Sequence, residues 1–293
     1  MRNALLLDAQ PANPDWTPSR RPADFRVDRA NHPEFTDIVV QKNLRAEGDD
    51  WVTAITVAKH LLDGRKGGGV PIQEDLHETY RRIRANGDGY CGDFADVYSG
   101  LLNAAGVFSR NWAFSFDGYG GRGHIVNEVW IRGADQWVML DVFNNIYFVD
   151  AKGRPMSALA VRKALLDGQR PTIVGIEALA SPGFRHVHKA YEFYERGLHE
   201  WYLWWGNAVY AYDSNAFVKA ASGMHRGIEQ LAGVAAGVHP TIRVLQDEIS
   251  RRKLDDLVSL RWRLWAVVAF ASLSLVIAVA WWAASRRGAP ARP

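Results

Sequence analysis

The sequence predicts an α+β fold in which helices pack on an antiparallel sheet, with a mostly helical C-terminal region and one transmembrane helix. Three observations support this prediction. Apolar residues recur at helical spacing across 50–105, and short β-rich runs separated by glycine and asparagine turns follow across 107–149. An uncharged run of 21 residues extends from Leu264 to Ala284. Helices that precede a block of neighbouring strands are typical of the α+β class.

The composition is that of a globular protein, since 48% of the 293 residues are hydrophobic and 23% are charged. Lys and Arg total 35 against 32 Asp and Glu, a balance too even to predict a nucleic-acid partner. Cys91 is the single cysteine, which excludes an internal disulfide and any metal site with several thiolate ligands. This thiol is therefore either buried filler or a reactive group.

Residues 1–35 contain five of the twelve prolines and show no apolar periodicity, which predicts an extended or loosely docked leader. Residues 36–150 are predicted to form the domain that follows. Within it, apolar residues at helical spacing predict a helix from Asp50 to Leu62 and a more polar helix from Gln73 to Ala85. The sequence NGDG at 86–89 is a dense turn signal that ends the second helix.

Cys91 follows this turn directly and opens a third predicted helix. Apolar residues recur at helical spacing up to Ala105, and Gly106 stands where a helix C-terminus favours glycine. The start of a helix carries partial positive charge and free N–H donors, both of which favour a thiolate over a thiol. The position of Cys91 alone therefore predicts an activated sulfur.

A β-hairpin is predicted to bring a histidine and an aspartate together. After a strand at 107–116 and a glycine loop at 117–123, the runs 124–131 and 136–142 alternate as strands. If the loop between the two runs has two or four residues, the residues that pair across the hairpin have numbers that sum to 267. Because side chains alternate between faces, His124 and Asp141 then share a face as diagonal neighbours, with backbones about 7 to 8 Å apart.

The other face of the hairpin carries apolar side chains that are predicted to be buried. They are Ile125, Val129, Ile131, Val138, Leu140 and Val142. This arrangement would leave the His124 face to meet the Cys91 helix. A further strand is predicted at 146–149, after the turn residues Asn144 and Asn145.

Cys91, His124 and Asp141 are the predicted site residues. A cysteine nucleophile needs an imidazole to hold or shuttle its proton, and the imidazole needs a third group that fixes its orientation. Taken singly, a cysteine in an amphipathic helix is more often buried filler, and neither the histidine nor the aspartate is informative. Their order along the chain, a helix-initial cysteine followed by histidine and aspartate on adjacent strands, favours nucleophilic catalysis.

Three segments resemble the motifs of transglutaminase-like domains. They are GYCGDFA at 89–95, HIVNEVW at 124–130 and WVMLD at 137–141, in the order that the family has. One difference is that many members have Ala-Trp directly after the histidine, where this chain has Ile125 and Val126. The substrate class therefore stays open.

The resemblance covers residues 50–150 and implies a papain-like triad of Cys91, His124 and Asp141. It implies a thiol acyltransferase, or a peptidase or amidase, that needs no metal and no organic cofactor. Cys91 would attack the amide carbonyl of a glutamine side chain or peptide bond, His124 would protonate the leaving amine, and Asp141 would orient His124. The implied partner is a protein or peptide substrate, while the oligomeric state stays open.

Residues 261–287 are predicted to form a single transmembrane anchor in the cell (inner) membrane, with residues 288–293 as a tail. At about 1.5 Å per residue the apolar run matches a hydrocarbon core of roughly 30 Å. Tryptophans and arginines flank it at both ends. The basic residues are more numerous before the run than after it, and the chain begins with no export signal, so the predicted catalytic domain is cytoplasmic.

Residues 151–260 are predicted to form a helical, aromatic-rich extension. Helices are predicted at 155–168 and 227–250, and the WYLWWGN segment from Trp201 is interpreted first as packing or membrane-surface contact. His186 and His188 lack a third residue with convincing metal-ligand spacing. Some bacterial transglutaminase-like proteins accompany cell-surface polysaccharide machinery, and this segment with its anchor resembles them.

A second interpretation stays open. The same fold could serve as a catalytically idle scaffold or binding module that holds a partner at the membrane. An open cleft with the Cys91 sulfur within reach of the His124 ring would favour the enzyme, whereas a sealed sulfur would favour the scaffold.

Overall fold

One antiparallel sheet organises the described part of the chain. The computed structural model describes every residue except 1, 9, 29–31, 64–69, 73, 120–121, 178–182, 185, 224–225, 246 and 288–293. Parts of the sequence prediction therefore lie outside the described residues, among them the 288–293 tail, residues 120–121 of the glycine loop and Gln73 at the start of the second predicted helix. The described residues form an α+β protein with eleven helices and seven strands.

The elements have the following bounds. The helices are α1 (Arg2–Leu6), α2 (Pro33–Gln41), α3 (Asp50–Leu62), α4 (Leu76–Asn86), α5 (Cys91–Ala105), α6 (Ala158–Leu166), α7 (Val187–Glu195), α8 (Val209–Ser214), α9 (Ala216–Ser222), α10 (Arg226–Ala235) and α11 (Glu248–Arg287). The strands are β1 (Ser109–Ser115), β2 (Gly123–Ile131), β3 (Gln136–Asp141), β4 (Ile146–Val149), β5 (Thr172–Gly175), β6 (Trp201–Trp205) and β7 (Thr241–Val244).

The strand order in the sheet is β5-β4-β3-β2-β1-β6-β7, and every neighbouring pair is antiparallel. Strands β1 to β5 follow one another in sequence and in space, which short connections favour. Strand β6 then returns to the free edge of β1, and β7 adds to β6. The site strands β2 and β3 therefore lie in the interior of the sheet.

Each face of the sheet has its own apolar core. On one face, helices α2 to α5 pack with residues of β2 and β3 that include Val129, Val138 and Leu140. The other face carries α6, α7 and the residues that alternate with that set, among them Val126 and Met139. Because both faces are covered, strand β1 is buried along its whole length.

Several predicted elements are confirmed by the structure. Helix α3 has the predicted bounds, and Asp49 caps it by accepting a hydrogen bond from the Val52 N–H at 2.9 Å. Helix α5 begins at Cys91 and ends before Gly106, whose φ is +76°. The β2–β3 hairpin has the predicted register, with Val129 opposite Val138.

The C-terminal region contributes strands as well as helices. The tryptophan-rich segment is strand β6, and all five of its residues are buried. The prediction of a continuous helix over 227–250 is wrong, because α10 ends at Ala235 and β7 follows at Thr241. Gly237 has φ +68° and lies just beyond the end of α10, and Pro240 cannot continue a helix.

The predicted leader is packed against the sheet and is not loosely docked. Trp16 and Phe25 are 7% and 2% exposed and belong to the core on the α6–α7 face. Leu7 forms a parallel bridge with Ile242 of β7, and the Asp8 N–H donates to the Ile242 carbonyl at 2.9 Å. The prolines keep this segment free of long regular elements, but they leave its apolar side chains available for burial.

Helix α11 is 40 residues long. From Lys253 to Ala284 it is long and apolar enough to cross a membrane, and its most apolar window is not buried in the protein. The base of the helix packs on the body through Leu254, Val258 and Leu264. The apolar run predicted at 264–284 therefore leaves the body near its first residue.

Candidate active site

The hairpin brings His124 and Asp141 into direct contact, as its register predicts. His124 is the second residue of β2 and Asp141 is the last residue of β3. The His124 Nε2 atom lies 2.6 Å from Asp141 Oδ2, and both side chains are buried. Because Nε2 faces the carboxylate, Nδ1 is the ring nitrogen left for a third group.

Cys91 supplies that third group from the first turn of α5. Its side chain interacts with both the His124 ring and the Ile125 N–H, and the residue is partly exposed to solvent. The start of the helix is fixed by Asp93, which accepts a hydrogen bond from the Tyr90 N–H at 2.7 Å. The Cys91 N–H belongs to the first helical turn, which has no intrahelical acceptors.

The route by which α5 reaches His124 differs from the prediction. Helix α5 packs on the face of the sheet that carries Val129 and Leu140, and not on the His124 face. Asn127, also on the α5 side, donates through Nδ2 to the Ala95 carbonyl at 3.0 Å. The prediction was wrong because it treated the whole helix as the contact. Only the first turn of α5 reaches the ring, where it lies against the His124–Ile125 end of β2.

The positive charge of His124 stabilises the negative charges of both Cys91 and Asp141. Burial alone would raise the pKa of Cys91, but the charge and hydrogen bonding of His124 and the Ile125 N–H outweigh it and lower that pKa. Burial lowers the pKa of His124, yet the negative charges of Asp141 and of the Cys91 thiolate raise it to about 10. Both shifts favour a thiolate beside an imidazolium over a neutral thiol beside a neutral imidazole.

Hydrogen-bond donors in addition to His124 hold Asp141 in its charged form. Burial raises the pKa of Asp141, but the imidazolium, the Tyr194 hydroxyl and the Asn144 N–H together lower it. The Asn144 N–H donates to Oδ1 at 3.0 Å and Asn144 Nδ2 donates to Oδ2 at 2.7 Å. Tyr194 donates to Oδ2 from α7. A carboxylate with several donors keeps its charge in a buried site.

Tyr194 and Asn144 are site residues that the sequence analysis missed. Asn144 was interpreted only as a turn residue, although its place three residues after Asp141 gives it the reach of an Asx-type turn. Tyr194 comes from a helix 53 residues further along the chain. No local pattern connects it with the hairpin.

Aromatic rings surround the imidazole. The ring centroids of Phe193, Phe114 and Phe143 lie 5.2, 5.6 and 6.1 Å from that of His124. His124 itself is 4% exposed. These contacts exclude water from the ring and strengthen its interaction with Asp141, since charges interact more strongly in a low dielectric.

The first residue of β2, directly before His124, needs to be glycine. Gly123 pairs with Ser115, and a Cβ atom at Gly123 would lie 2.0 Å from the Phe114 carbonyl oxygen. Any larger residue would therefore push β2 away from β1 one position before the histidine. The close pairing of Gly123 with Ser115 therefore fixes the position of His124 at the start of β2.

The other residues singled out in the sequence lie away from this site or in the core. The rings of His186 and His188 stack 5.5 Å apart, and within the described part of the chain they belong to no group of three metal-ligating residues. Trp204 and Trp205 are 6% and 3% exposed. The tryptophan-rich strand is therefore part of the packing and presents no open aromatic platform.

Comparison of the chain with family models, with curated proteins and with solved structures finds no match. The geometry of Cys91, His124 and Asp141 is thus the main support for a function.

Proposed function

We propose that this protein is a membrane-anchored cysteine-dependent amide hydrolase or acyltransferase of the transglutaminase-like, papain-like type. The observation that carries the proposal is the joining of a helix-initial thiol to a histidine that an aspartate orients. Three residues from separate elements meet there, and the pKa of Cys91 is lowered while that of His124 is raised. Perturbed groups that form one constellation are typical of catalytic sites.

In the first half of the reaction, the Cys91 thiolate attacks the carbonyl carbon of a glutamine side chain or peptide bond. A carbon–sulfur bond forms, and the oxyanion accepts a hydrogen bond from the Cys91 N–H at the start of α5. The imidazolium of His124 gives its proton to the leaving nitrogen as the carbon–nitrogen bond breaks. The products of this half are a thioester on Cys91 and a free amine.

In the second half, water or an amine attacks the thioester carbonyl. His124, now neutral, takes a proton from the nucleophile, the carbon–sulfur bond breaks, and the thiolate is restored beside the imidazolium. Water gives a carboxylic acid and an amine gives a new amide. Asp141 stays ionised throughout and keeps Nε2 of the ring turned toward itself, so that the other nitrogen serves the sulfur.

Helix α11 supports attachment of this activity to the cell membrane. The body packs on the base of the helix up to Leu264, so the site would work close to the bilayer surface. The excess of basic residues before the apolar run supports a body on the cytoplasmic side. A link to cell-surface polysaccharide production rests on the resemblance described above.

A single substitution tests the assignment. The purified full chain in detergent is incubated with a labelled glutamine peptide, with and without a primary amine, and released ammonia and new amide are measured. Cys91→Ala is expected to abolish both products. Lys163→Met, which removes only an exposed ion pair with Asp167, serves as the matched control and is expected to retain them.

Persistence of activity in Cys91→Ala would overturn the proposal. So would a wild-type Cys91 that reacts with iodoacetamide at pH 6 no faster than an ordinary thiol, because an ordinary cysteine has a pKa of about 8.5 and is scarcely ionised there. That second result would leave the idle scaffold as the function.

A further inference from the structure

A buried carboxylate joins the membrane helix to the loop that precedes His124. Glu200 is 3% exposed and lies directly before β6. Its Oε2 atom accepts hydrogen bonds from the N–H groups of Gly118 and Tyr119, at 2.6 and 3.2 Å. Its Oε1 atom accepts from Nζ of Lys253, on α11.

The loop between β1 and β2 has the shape that such a carboxylate requires. Gly118 and Tyr119 both have positive φ, +67° and +62°, which turns two successive N–H groups toward one anion. Tyr119 is a non-glycine residue in this conformation, and its side chain is fully buried. Its hydroxyl donates to the His199 carbonyl at 3.3 Å. The loop is thus fixed to both His199 and Glu200.

The backbone of Glu200 also fixes the end of β1. The Ser115 N–H donates to the Glu200 carbonyl at 3.1 Å. Ser115 pairs with Gly123, and Phe114 pairs with His124. Backbone and side chain of one residue therefore hold both the strand that pairs with His124 and the loop that leads into it.

Lys253 supplies the charge that this arrangement needs. Glu200 is almost completely removed from water, and an unpaired carboxylate in such a position is strongly destabilising. Lys253 lies eleven residues before Leu264 on the same helix, which is about 16 Å along the helix axis. The ion pair of Lys253 with Glu200 thus connects the helix that carries the apolar run to the active-site loop.

We propose that Glu200, paired with Lys253, is a positioning residue for His124, and that the base of the membrane helix thereby sets the geometry of the active site. This inference rests on the proposed function of Cys91 and His124. Glu200 does not touch the reacting atoms. It acts by holding the 118–119 turn, and with it the start of β2, at the distance from α5 at which the thiolate and the imidazolium meet.

Variants of the ion pair test this in the full chain reconstituted in lipid nanodiscs. Lys253→Met leaves Glu200 buried without its partner, Lys253→Arg keeps a cation, and Glu200→Gln removes the charge. The double variant Lys253→Met/Glu200→Gln removes both charges. The control is Lys163→Met, whose partner Asp167 is exposed. Two quantities are measured: the pH profile of Cys91 alkylation and hydrogen exchange of residues 116–124.

Lys253→Met is expected to slow Cys91 alkylation at pH 6 by roughly 2- to 30-fold, the range found for residues that act through a network, and to move the midpoint of the profile to higher pH. Hydrogen exchange of residues 116–124 should rise with it. Lys253→Arg should restore both readouts. The double variant should be closer to wild type than Lys253→Met, because an amide tolerates the missing cation better than a carboxylate does.

Failure of the two proposals is distinguishable. If Lys253→Met leaves both the pH profile and the exchange of residues 116–124 as in the control, the positioning role of Glu200 is overturned while the catalytic proposal stands. If wild-type Cys91 shows no enhanced reactivity, the catalytic proposal falls, and with it the role of Glu200 in serving His124, whatever the exchange data show.

Discussion

The Tyr194 hydroxyl donates a hydrogen bond to the Asp141 carboxylate across 53 residues of sequence. Burial and the adjacent negative charge raise the pKa of Tyr194 well above its ordinary value, so the phenol stays protonated and remains a donor. Helix α7 is thereby tied to the residue that orients His124.

Tyr194→Phe is expected to lower the free energy of unfolding by about 1 to 3 kcal/mol, because a buried carboxylate loses one of its donors. Amide turnover should fall as well, since Asp141 is held less firmly. Chemical denaturation and steady-state kinetics measure the two effects. Tyr191→Phe is the matched control on the same helix, because its hydroxyl donates to the Pro171 carbonyl and not to the site. Equal turnover in the two variants would contradict the assigned role.

The raised pKa of His124 and the lowered pKa of Cys91 predict a broad pH range of activity. Alkylation of Cys91 should stay fast at pH 6, where an ordinary thiol with a pKa of about 8.5 is slow. Turnover should fall as the pH rises through about 10, where the imidazolium loses the proton that the leaving amine needs. A pH–rate profile that falls near pH 6.5 would contradict the ion pair.

The pKa changes at His124 and Asp141 predict how stability depends on pH. The folded-state pKa of His124 is raised, so its contribution to stability is fully present below the unfolded pKa of about 6.5 and is lost as the pH rises toward 10. The pKa of Asp141 is lowered, so its contribution is present above about 3.9 and is lost on acidification. Denaturation curves at several pH values, compared between wild type and His124→Gln, should converge as the pH approaches 10.

Asp141→Asn should separate the two effects of Asp141 on His124, which are orientation of the ring and stabilisation of its positive charge. The amide keeps roughly the shape of the carboxylate but removes the negative charge that raises the pKa of His124. The pKa of His124 should fall and the thiolate should lose part of its partner. The Asp141 charge itself raises the pKa of Cys91, but loss of the imidazolium, which lowers that pKa more, should outweigh its removal. Alkylation at pH 6 should then slow, because each rise of about 1 in the pKa of Cys91 lowers the thiolate fraction about tenfold. Asp167→Asn, an exposed carboxyl outside the site, is the control. Unchanged alkylation in Asp141→Asn would argue against coupling of the three groups.

A second buried ion pair lies on the α6–α7 face of the sheet. Arg110 Nε and Glu128 Oε2 are 2.7 Å apart with side chains 2% and 0% exposed, and Glu128 also accepts from Trp112 Nε1 and the Ala158 N–H. Arg110→Met is expected to destabilise the fold by about 3 to 5 kcal/mol, because it leaves a buried carboxylate without its cation.

Thermal or chemical denaturation measures this cost. The control is Arg154→Met, which breaks the ion pair between Arg154 and Asp150, and the Arg154 side chain is 68% exposed. This substitution should change the free energy of unfolding by less than about 1 kcal/mol. If the two variants lose similar free energy of unfolding, burial of the Arg110–Glu128 pair does not increase its contribution to stability.

Membrane attachment has its own test. Leu275 and Val279 lie in the apolar part of α11, and each arginine placed there should oppose insertion by about 2.5 to 3.5 kcal/mol. The double variant Leu275→Arg/Val279→Arg should move the protein from the membrane fraction to the soluble fraction, whereas alanines at both positions should not. Retention of the arginine variant in carbonate-washed membranes would contradict a transmembrane anchor.

The sequence predicted the parts of the site that depend on local signals. Cys91 opens α5 because a turn precedes it and apolar residues at helical spacing follow. His124 and Asp141 meet because a four-residue connection fixes the hairpin register, with Ile131 opposite Gln136. In both cases the determining residues lie within about one helix or one hairpin of each other.

The parts that were missed depend on contacts between distant segments. Tyr194 and Glu200 reach the site or its loop from beyond residue 150, and β6 becomes a strand because the edge of β1 is free to pair with it. The run from Gly227 to Ser250 was predicted as one helix, but a five-residue connection that ends in Pro240 separates α10 from β7. The docking of Trp16 and Phe25 could not be predicted from a proline-rich segment, since their burial depends on the finished sheet.

The bridge between Leu7 and Ile242 sets an order of events during synthesis. Residues 2–8 leave the ribosome 235 positions before the strand on which they dock, so at about 5 to 20 residues per second they wait roughly 10 to 50 seconds for it. Until β7 emerges, the apolar cluster that buries Leu6 and Leu7 lacks Ile242 and Val244. The cluster around Leu6 and Leu7 can therefore be completed only after residues 241–244 have been synthesised.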